Sequence, residues 1–167
     1  PDLPPSQQTI ETLCEHARQP NEHGYQPYIG IPELRKGFAD WYKKWYDVDL
    51  DPKTEIQPLI GSKEGILHIS LAFLNPGDGV LVPNPGYPTY SSVSKLVEAN
   101  MPTGTNASME LYEKLVAFGK KHGIIICNDN PYSFILNEHP LSILSIPGAK
   151  DICIEMNSMS KAHNMPG

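Results

Sequence analysis

Cysteine is scarce. Cys14, Cys127 and Cys153 are the three in 167 residues, far apart and in no CxxC pair. An odd number at that spacing argues against a disulfide framework and against a zinc cluster, so a reducing cytoplasm is the expected compartment. Positive charge is also in short supply. Thirteen Lys and Arg stand against nineteen Asp and Glu, a formal net charge of −6. Neutralising phosphates needs clustered cations, so no nucleic-acid partner is expected. No apolar run approaches the roughly 18 residues of a membrane helix, and no signal-peptide pattern is visible, so no membrane partner is expected either. The six histidines lack spacing such as HExxH, which leaves no metal site to propose. Repeats, heptads and low-complexity tracts are missing too. Proline is the exception, with 17 residues, about twice the usual share. The prolines are scattered between apolar segments and punctuate loops.

Along the chain, a polar start up to Gly30 predicts an arm with one short helix, about Gln7 to Arg18. Leu34, Phe38, Trp41 and Trp45 then recur at helical spacing behind Pro32, which suits a first turn, and predict a helix to about Tyr46. A second helix is expected from Lys63 to Leu74. It is apolar on most sides and therefore expected to be buried. Gly79–Pro83 reads as a short strand, with a loop 84–90 and a helix to about Ala99 beyond it. Asn106 or Ser108 caps the next helix, which runs to about Lys121. Two apolar strands follow, Ile124–Asn128 and Asp151–Asn157, around an irregular stretch 133–150. After the second comes a small polar tail. Helices alternating with apolar strands predict an α/β fold, three-layer αβα with a mainly parallel sheet. One junction is odd. Two helices meet near 99–101 with no strand between them, which suggests a missing segment there.

In open α/β sheets, ligands bind beyond the carboxyl ends of the strands. Here such exits carry Asp129, the run Ser158, Ser160 and Lys161, and the tyrosine-bearing loop 84–90. The turn Ser62–Gly65 opens a helix whose amides could hold an anion. A lysine amine, a carboxylate, an aromatic face and a phosphate cup suit a phosphate-bearing aldehyde cofactor held as a lysine imine.

These residues resemble the class I/II aminotransferases, fold-type I pyridoxal-phosphate enzymes. The segment from Ser158 to Gly167 resembles the family's S-x-S-K stretch, and Asp129-Asn130-Pro131-Tyr132 its D-x-x-Y. Met101-Pro102-Thr103-Gly104 is similar to N-P-T-G. Gly61–Gly65 is similar to the phosphate-cup turn, and Asn84–Tyr90 to the loop bearing the stacking aromatic. Tyr25-Gln26-Pro27-Tyr28-Ile29-Gly30, with Leu34-Arg35 after it, resembles Y-x-P-x-x-G. All six occur in the family's order across nearly the whole chain. The wording is closest to the aspartate, alanine and LL-diaminopimelate aminotransferase branch.

The resemblance implies pyridoxal 5′-phosphate as cofactor. It implies transamination between an amino acid and a 2-oxo acid in two ping-pong half-reactions. Lys161 would form the imine and move the substrate proton. Asp129 would pair with the pyridine nitrogen, Tyr132 would bond the ring's phenolic oxygen and Tyr87 would stack on the ring. Ser62, Lys63 and Glu64 (through their turn), with Ser158 and Ser160, would hold the phosphate. Tyr25 would cross a homodimer interface to the partner's phosphate. The family's Asn before Pro-Thr-Gly is here Met101, with Asn100 one residue earlier as the candidate substitute. On this reading residues 1–46 are an N-terminal arm and first helices. Residues 47–167 are a partial large domain of the pyridoxal-phosphate transferase type, without the C-terminal small domain. A C–S lyase or decarboxylase on the same fold, or a non-catalytic regulatory domain, are the alternatives the motifs leave open.

Overall fold

The computed structural model describes residues 3–82, 86–96, 108–135 and 137–165. Six helices are present among them: α1 (Gln7–His16), α2 (Pro32–Tyr46), α3 (Ser62–Phe73), α4 (Pro88–Leu96), α5 (Met109–His122) and α6 (Met159–Ala162). Two strands, β1 (Ile126–Asp129) and β2 (Cys153–Met156), form one hydrogen-bonded pair. The chain divides into two compact units. One joins the residues up to Pro58 with those from Cys127 onward; the other is Leu59–Ile126.

The first unit is organised by α2. Pro32 occupies its first turn, and Asp47 ends it in a left-handed conformation (φ 53°), its amide bonded back to the Lys43 carbonyl. The buried stripe is Arg35, Ala39, Tyr42 and Tyr46, one residue along from the expected Leu34, Phe38, Trp41 and Trp45. Polar reach explains the rotation. The Arg35 guanidinium donates to the Pro52 carbonyl at 3.1 Å, and the Tyr46 hydroxyl pairs with Ser133 at 2.8 Å. Tyr42, Tyr46 and Val48 form the centre of the core, with Trp41, Leu50, Phe134 and Leu144 packed around them. Phe134 meets Trp41 edge-on at 5.0 Å and Trp45 at 5.5 Å, a favoured aromatic geometry.

The two strands run parallel. The amide of Asn130, just past the end of β1, donates to the carbonyl of Met156, the last residue of β2, at 2.8 Å. An antiparallel pair would set the end of one strand against the start of the other. Between them lie two short 3₁₀ turns, Ile143–Ser145 and Ala149–Asp151, which bury Ile143 and Ala149. β1 starts two residues later than expected, because Ile124 is spent on closing α5: its amide bonds to the Gly119 carbonyl.

In the second unit α3 and α4 pack together, and α5 is capped by Ser108, whose Oγ accepts from the Leu111 amide at 3.2 Å. Two expectations fail here. Gly79–Pro83 is not a strand among its described residues, Gly79 to Val82. Only Gly79 makes a bridge, and Leu81 is 66 % exposed, because an apolar run needs a neighbouring ladder to become a strand. Helix α3 is not buried all round. Gly65 and Ile66 are covered, whereas Leu71 and Phe73 are 60 % and 54 % exposed. A third difference lies in the first unit, where the expected polar tail after β2 forms the short helix α6. No helix among the described residues is long and apolar enough to cross a membrane.

Gly30 closes the turn begun at Pro27, whose carbonyl accepts the Gly30 amide at 2.9 Å. Its φ is +78°, and a β-carbon there would lie 2.6 Å from Pro58 Cγ. Left-handed backbone and a clash with a stiff ring act together. Gly30→Ala is therefore expected to lower stability by about 1–3 kcal/mol, measured as a shift of the urea midpoint against the parent protein.

Candidate functional site

The chemistry-bearing residues of the first unit gather at one edge of the strand pair. Asp129 is the last residue of β1, and one of its carboxylate oxygens, Oδ1, is buried. Because β1 and β2 are parallel, the segment leaving β2 emerges on the same edge. Asn157 Oδ1 accepts the amide of Ser158 at 2.7 Å, and Ser158 Oγ accepts the amide of Ser160 at 3.2 Å. These two bonds turn the chain sharply from strand into α6. Lys161 therefore projects from a short helix directly past the strand exit, and its side chain is solvent-facing.

Tyr132 lies in the turn after β1, its carbonyl accepting the Ile135 amide. The Lys161 Nζ sits 5.3 Å from the centre of the Tyr132 ring, within cation–π range. The structure thus brings Lys161 and Tyr132 together, and sets Asp129 on the adjoining strand of the same edge. Tyr25 is elsewhere in this unit, fully exposed on the arm, as is Tyr28.

The second unit carries the other set. Gly61 is the N-cap of α3, without a side-chain cap, and Ser62, Lys63 and Glu64 form the first turn. Glu64 folds back, Oε2 accepting the Ile60 amide at 2.7 Å. That contact fixes the entry of the chain and commits the Glu64 side chain to the turn. The amides of this first turn point along the axis, where the helix dipole favours an anion. Lys63 Nζ lies 5.5 Å from the Tyr87 ring centre, and Tyr87 meets Tyr90 at 6.1 Å, so the aromatic loop and the helix start are neighbours. Asn100 lies outside the described residues.

The donor set fits a phosphate-bearing pyridine aldehyde. In the first unit an amine, a carboxylate and a phenol share one strand edge; the second unit, taken by itself, has a helix start of the kind that suits a phosphate. Sequence reasoning overlooked the residues that hold this edge in place. Glu155 of β2 is a half-buried acid whose carboxylate accepts from Tyr42, Asn128, Ser142 and the Ile143 amide. The available signal was an acid flanked by Ile154 and Met156 inside an apolar strand, a place where a carboxylate must be satisfied by donors. Burial, and then the neighbouring Glu155 carboxylate, push the Tyr42 hydroxyl far above its usual titration range, so it stays a donor.

Lys63 is held above its ordinary value, chiefly by its hydrogen bond to Tyr87. Tyr87→Phe removes the hydroxyl and keeps the ring. The Lys63 amine should then titrate at lower pH than in the parent protein, which NMR titration of the lysine side chains checks directly.

Comparison with known proteins points to one family. The profile of "Aminotransferase class I and II" matches residues 1–101 and 98–167. The LL-diaminopimelate aminotransferase of Aquifex aeolicus is 41 % identical over 205 aligned positions, covering 100 % of this chain and 53 % of that protein. The enzyme of the same name from Dehalococcoides mccartyi is 38 % identical with the same coverage. This chain spans about half the length of these curated relatives. Among solved structures, apo-BacF from Bacillus subtilis superposes with a TM-score of 0.91 at 33 % identity, covering 99 % of this chain and 54 % of that one. A probable N-succinyldiaminopimelate aminotransferase from Thermus thermophilus gives 0.90 at 28 % identity, covering 99 % and 55 %. On profile, relatives and fold together, this chain belongs to the class I and II aminotransferases, a family of pyridoxal-phosphate-dependent enzymes of fold type I.

Proposed function

We propose that the protein containing this chain transfers an amino group from an amino acid to a 2-oxo acid, in two half-reactions that share one site. The observation that carries the reading is the meeting of Lys161 and Tyr132 at the exits of two paired parallel strands, with Asp129 at the end of the first. Pyridoxal phosphate, when bound, supplies the electron sink that makes an amino acid's α-proton removable. The remaining work belongs to the protein. Lys161 Nζ would be the group that takes up and returns the substrate's α-proton, the general acid–base task for which a mobile amine suits. Asp129 would hold the cofactor's ring nitrogen in its protonated form, and the Tyr132 hydroxyl would be a hydrogen-bond donor to the ring.

The first turn of α3, through Ser62, Lys63 and Glu64, supplies backbone amides for the phosphate, and Ser158 and Ser160 add hydroxyls. Tyr87 is the stacking aromatic. Asn100 is the candidate for the Asn that precedes Pro-Thr-Gly in the family. Tyr25, fully exposed on its arm, is suited to cross to the phosphate of a second copy in a homodimer. The three free cysteines fit a cytoplasmic setting. A shortened connection near 99–101 is part of the same reading. The Aquifex alignment runs over 205 positions, 38 more than the 167 residues here, and the family profile matches in two stretches that meet at 98–101. Residues 47–167 then represent part of the large domain, and residues 1–46 the arm and first helices.

The test uses the intact protein with pyridoxal phosphate and borohydride, followed by peptide mass analysis. The expected product is a pyridoxyl group fixed on Lys161. Lys161→Ala should abolish it and lower amino transfer by about 10²–10⁴-fold or more. LL-diaminopimelate is the first donor to try, because the curated relatives carry that name. Failure of the parent protein to take up the cofactor defeats the reading. Release of many equivalents of 2-oxo acid per site without any acceptor present, beyond the single equivalent that the first half-reaction frees, would replace transfer by elimination.

A further inference from the structure

The edge that carries Asp129 and Lys161 has to be held, and the hydrogen bonds converge on Glu155 of β2. Four donors meet on the Glu155 carboxylate. Tyr42 Oη and Ser142 Oγ donate to Oε1 at 2.8 and 2.9 Å. Asn128 Nδ2 and the Ile143 amide donate to Oε2 at 2.7 and 3.0 Å. The four come from α2, the first 3₁₀ turn and its cap, and β1, so one side chain of β2 ties three elements to its strand. Asn128 immediately precedes Asp129. Successive strand side chains point to opposite faces, so anchoring Asn128 on one face fixes the direction of Asp129 on the other. The Asn130 amide, one residue further, bonds to Met156, next to Glu155. Six residues past Glu155 is Lys161.

We propose that Glu155 is a positioning residue for the cofactor site, setting the spacing between the Asp129 carboxylate and the Lys161 amine by locking β1 to β2. This rests on the transamination reading above. The two oxygens of Glu155 are not equivalent. Oε2 faces N–H groups that can only donate. Oε1 faces two hydroxyls, which can turn and accept. An amide in place of the carboxylate can therefore keep its oxygen at the Oε2 position and offer its NH₂ to the hydroxyls. Removing the side chain takes the acceptor from both sides.

The intact protein loaded with pyridoxal phosphate tests this in four measurements: cofactor affinity, the position of the bound cofactor's absorption band, the kcat and KM split, and thermal stability. Glu155→Ala should weaken cofactor binding by about tenfold or more, as loss of an outer partner commonly does for a bound group. It should shift the absorption band and lower kcat on the order of 10²-fold with KM within about threefold, the signature of misplaced reacting groups. Glu155→Gln should return affinity, band and kcat to within about fivefold of the parent. If Glu155→Ala does not fold, Asn128→Ala removes only the link to β1 and should move the same band and kcat in the same direction.

A variant at Glu155 or Asn128 that melts earlier but keeps the parent's band and kcat overturns the proposal in favour of a purely structural role. So does a Glu155→Gln protein as impaired as Glu155→Ala. Absence of cofactor uptake by the parent protein itself defeats the transamination reading and this proposal with it, and is seen before any variant is made.

Discussion

A carboxylate withdrawn from water must be met by donors, and the first unit of this chain is arranged around that requirement at Glu155. Burying an unmatched charge costs several kcal/mol, whereas a carboxylate with both oxygens doubly satisfied is among the stronger polar anchors in a protein interior. The donors come from α2, β1 and the 3₁₀ region, and one acid thereby specifies how three separate stretches of sequence meet β2. Packing fills the remaining space. The Tyr46 ring lies against Phe134 and Tyr42, Trp41 lies against Phe134 and against His163, and the buried Ile143 sits beside the polar hub. The Trp41–His163 contact, at 5.0 Å, links α2 to the residues just past Lys161. The same helix thus braces the strand edge from two directions.

The division of chemistry between the two units follows from what each kind of element does well. Parallel strand exits suit side chains that must reach a single point, because paired strands hold their ends in register. A helix start suits a phosphate, because its amides and dipole recognise charge without needing a particular side chain. Glu64 illustrates the second case. Its own side chain is consumed in closing the turn onto the Ile60 amide, so any anion recognition there falls to the turn's backbone.

Much of this was legible in the residues. Helical spacing and Pro32 placed α2 at Pro32–Tyr46, and the α1, α3, α4 and α5 boundaries fell within a few residues of expectation. The family was legible as well, because six short motifs in order are far more specific than any one. What the pattern concealed were outcomes set by tertiary context. The stripe of α2 turned by one residue because tyrosine and arginine can bury their bodies while their polar tips find partners. Gly79–Val82 reads as a strand by composition alone, but a strand exists only with a neighbour. α6 stayed hidden because its start depends on the Ser158 cap, a local hydrogen bond without periodicity. Glu155 escaped notice because it belongs to no motif: its donors come from residues far apart in the chain, which a local pattern does not bring together.

The first unit is discontinuous in the chain, since Leu59–Ile126 is inserted between its halves. Its key contacts therefore span long stretches of sequence: 113 residues separate Tyr42 from Glu155, and 87 separate Tyr46 from Ser133. Such contacts form late, because closure of a long loop precedes any gain from them. During synthesis, Tyr42 is made roughly 6–23 s before Glu155. For that interval the ring face of α2 lacks Phe134, Leu144 and Glu155, and its native cover is limited to Val48 and Leu50, the residues made directly after the helix.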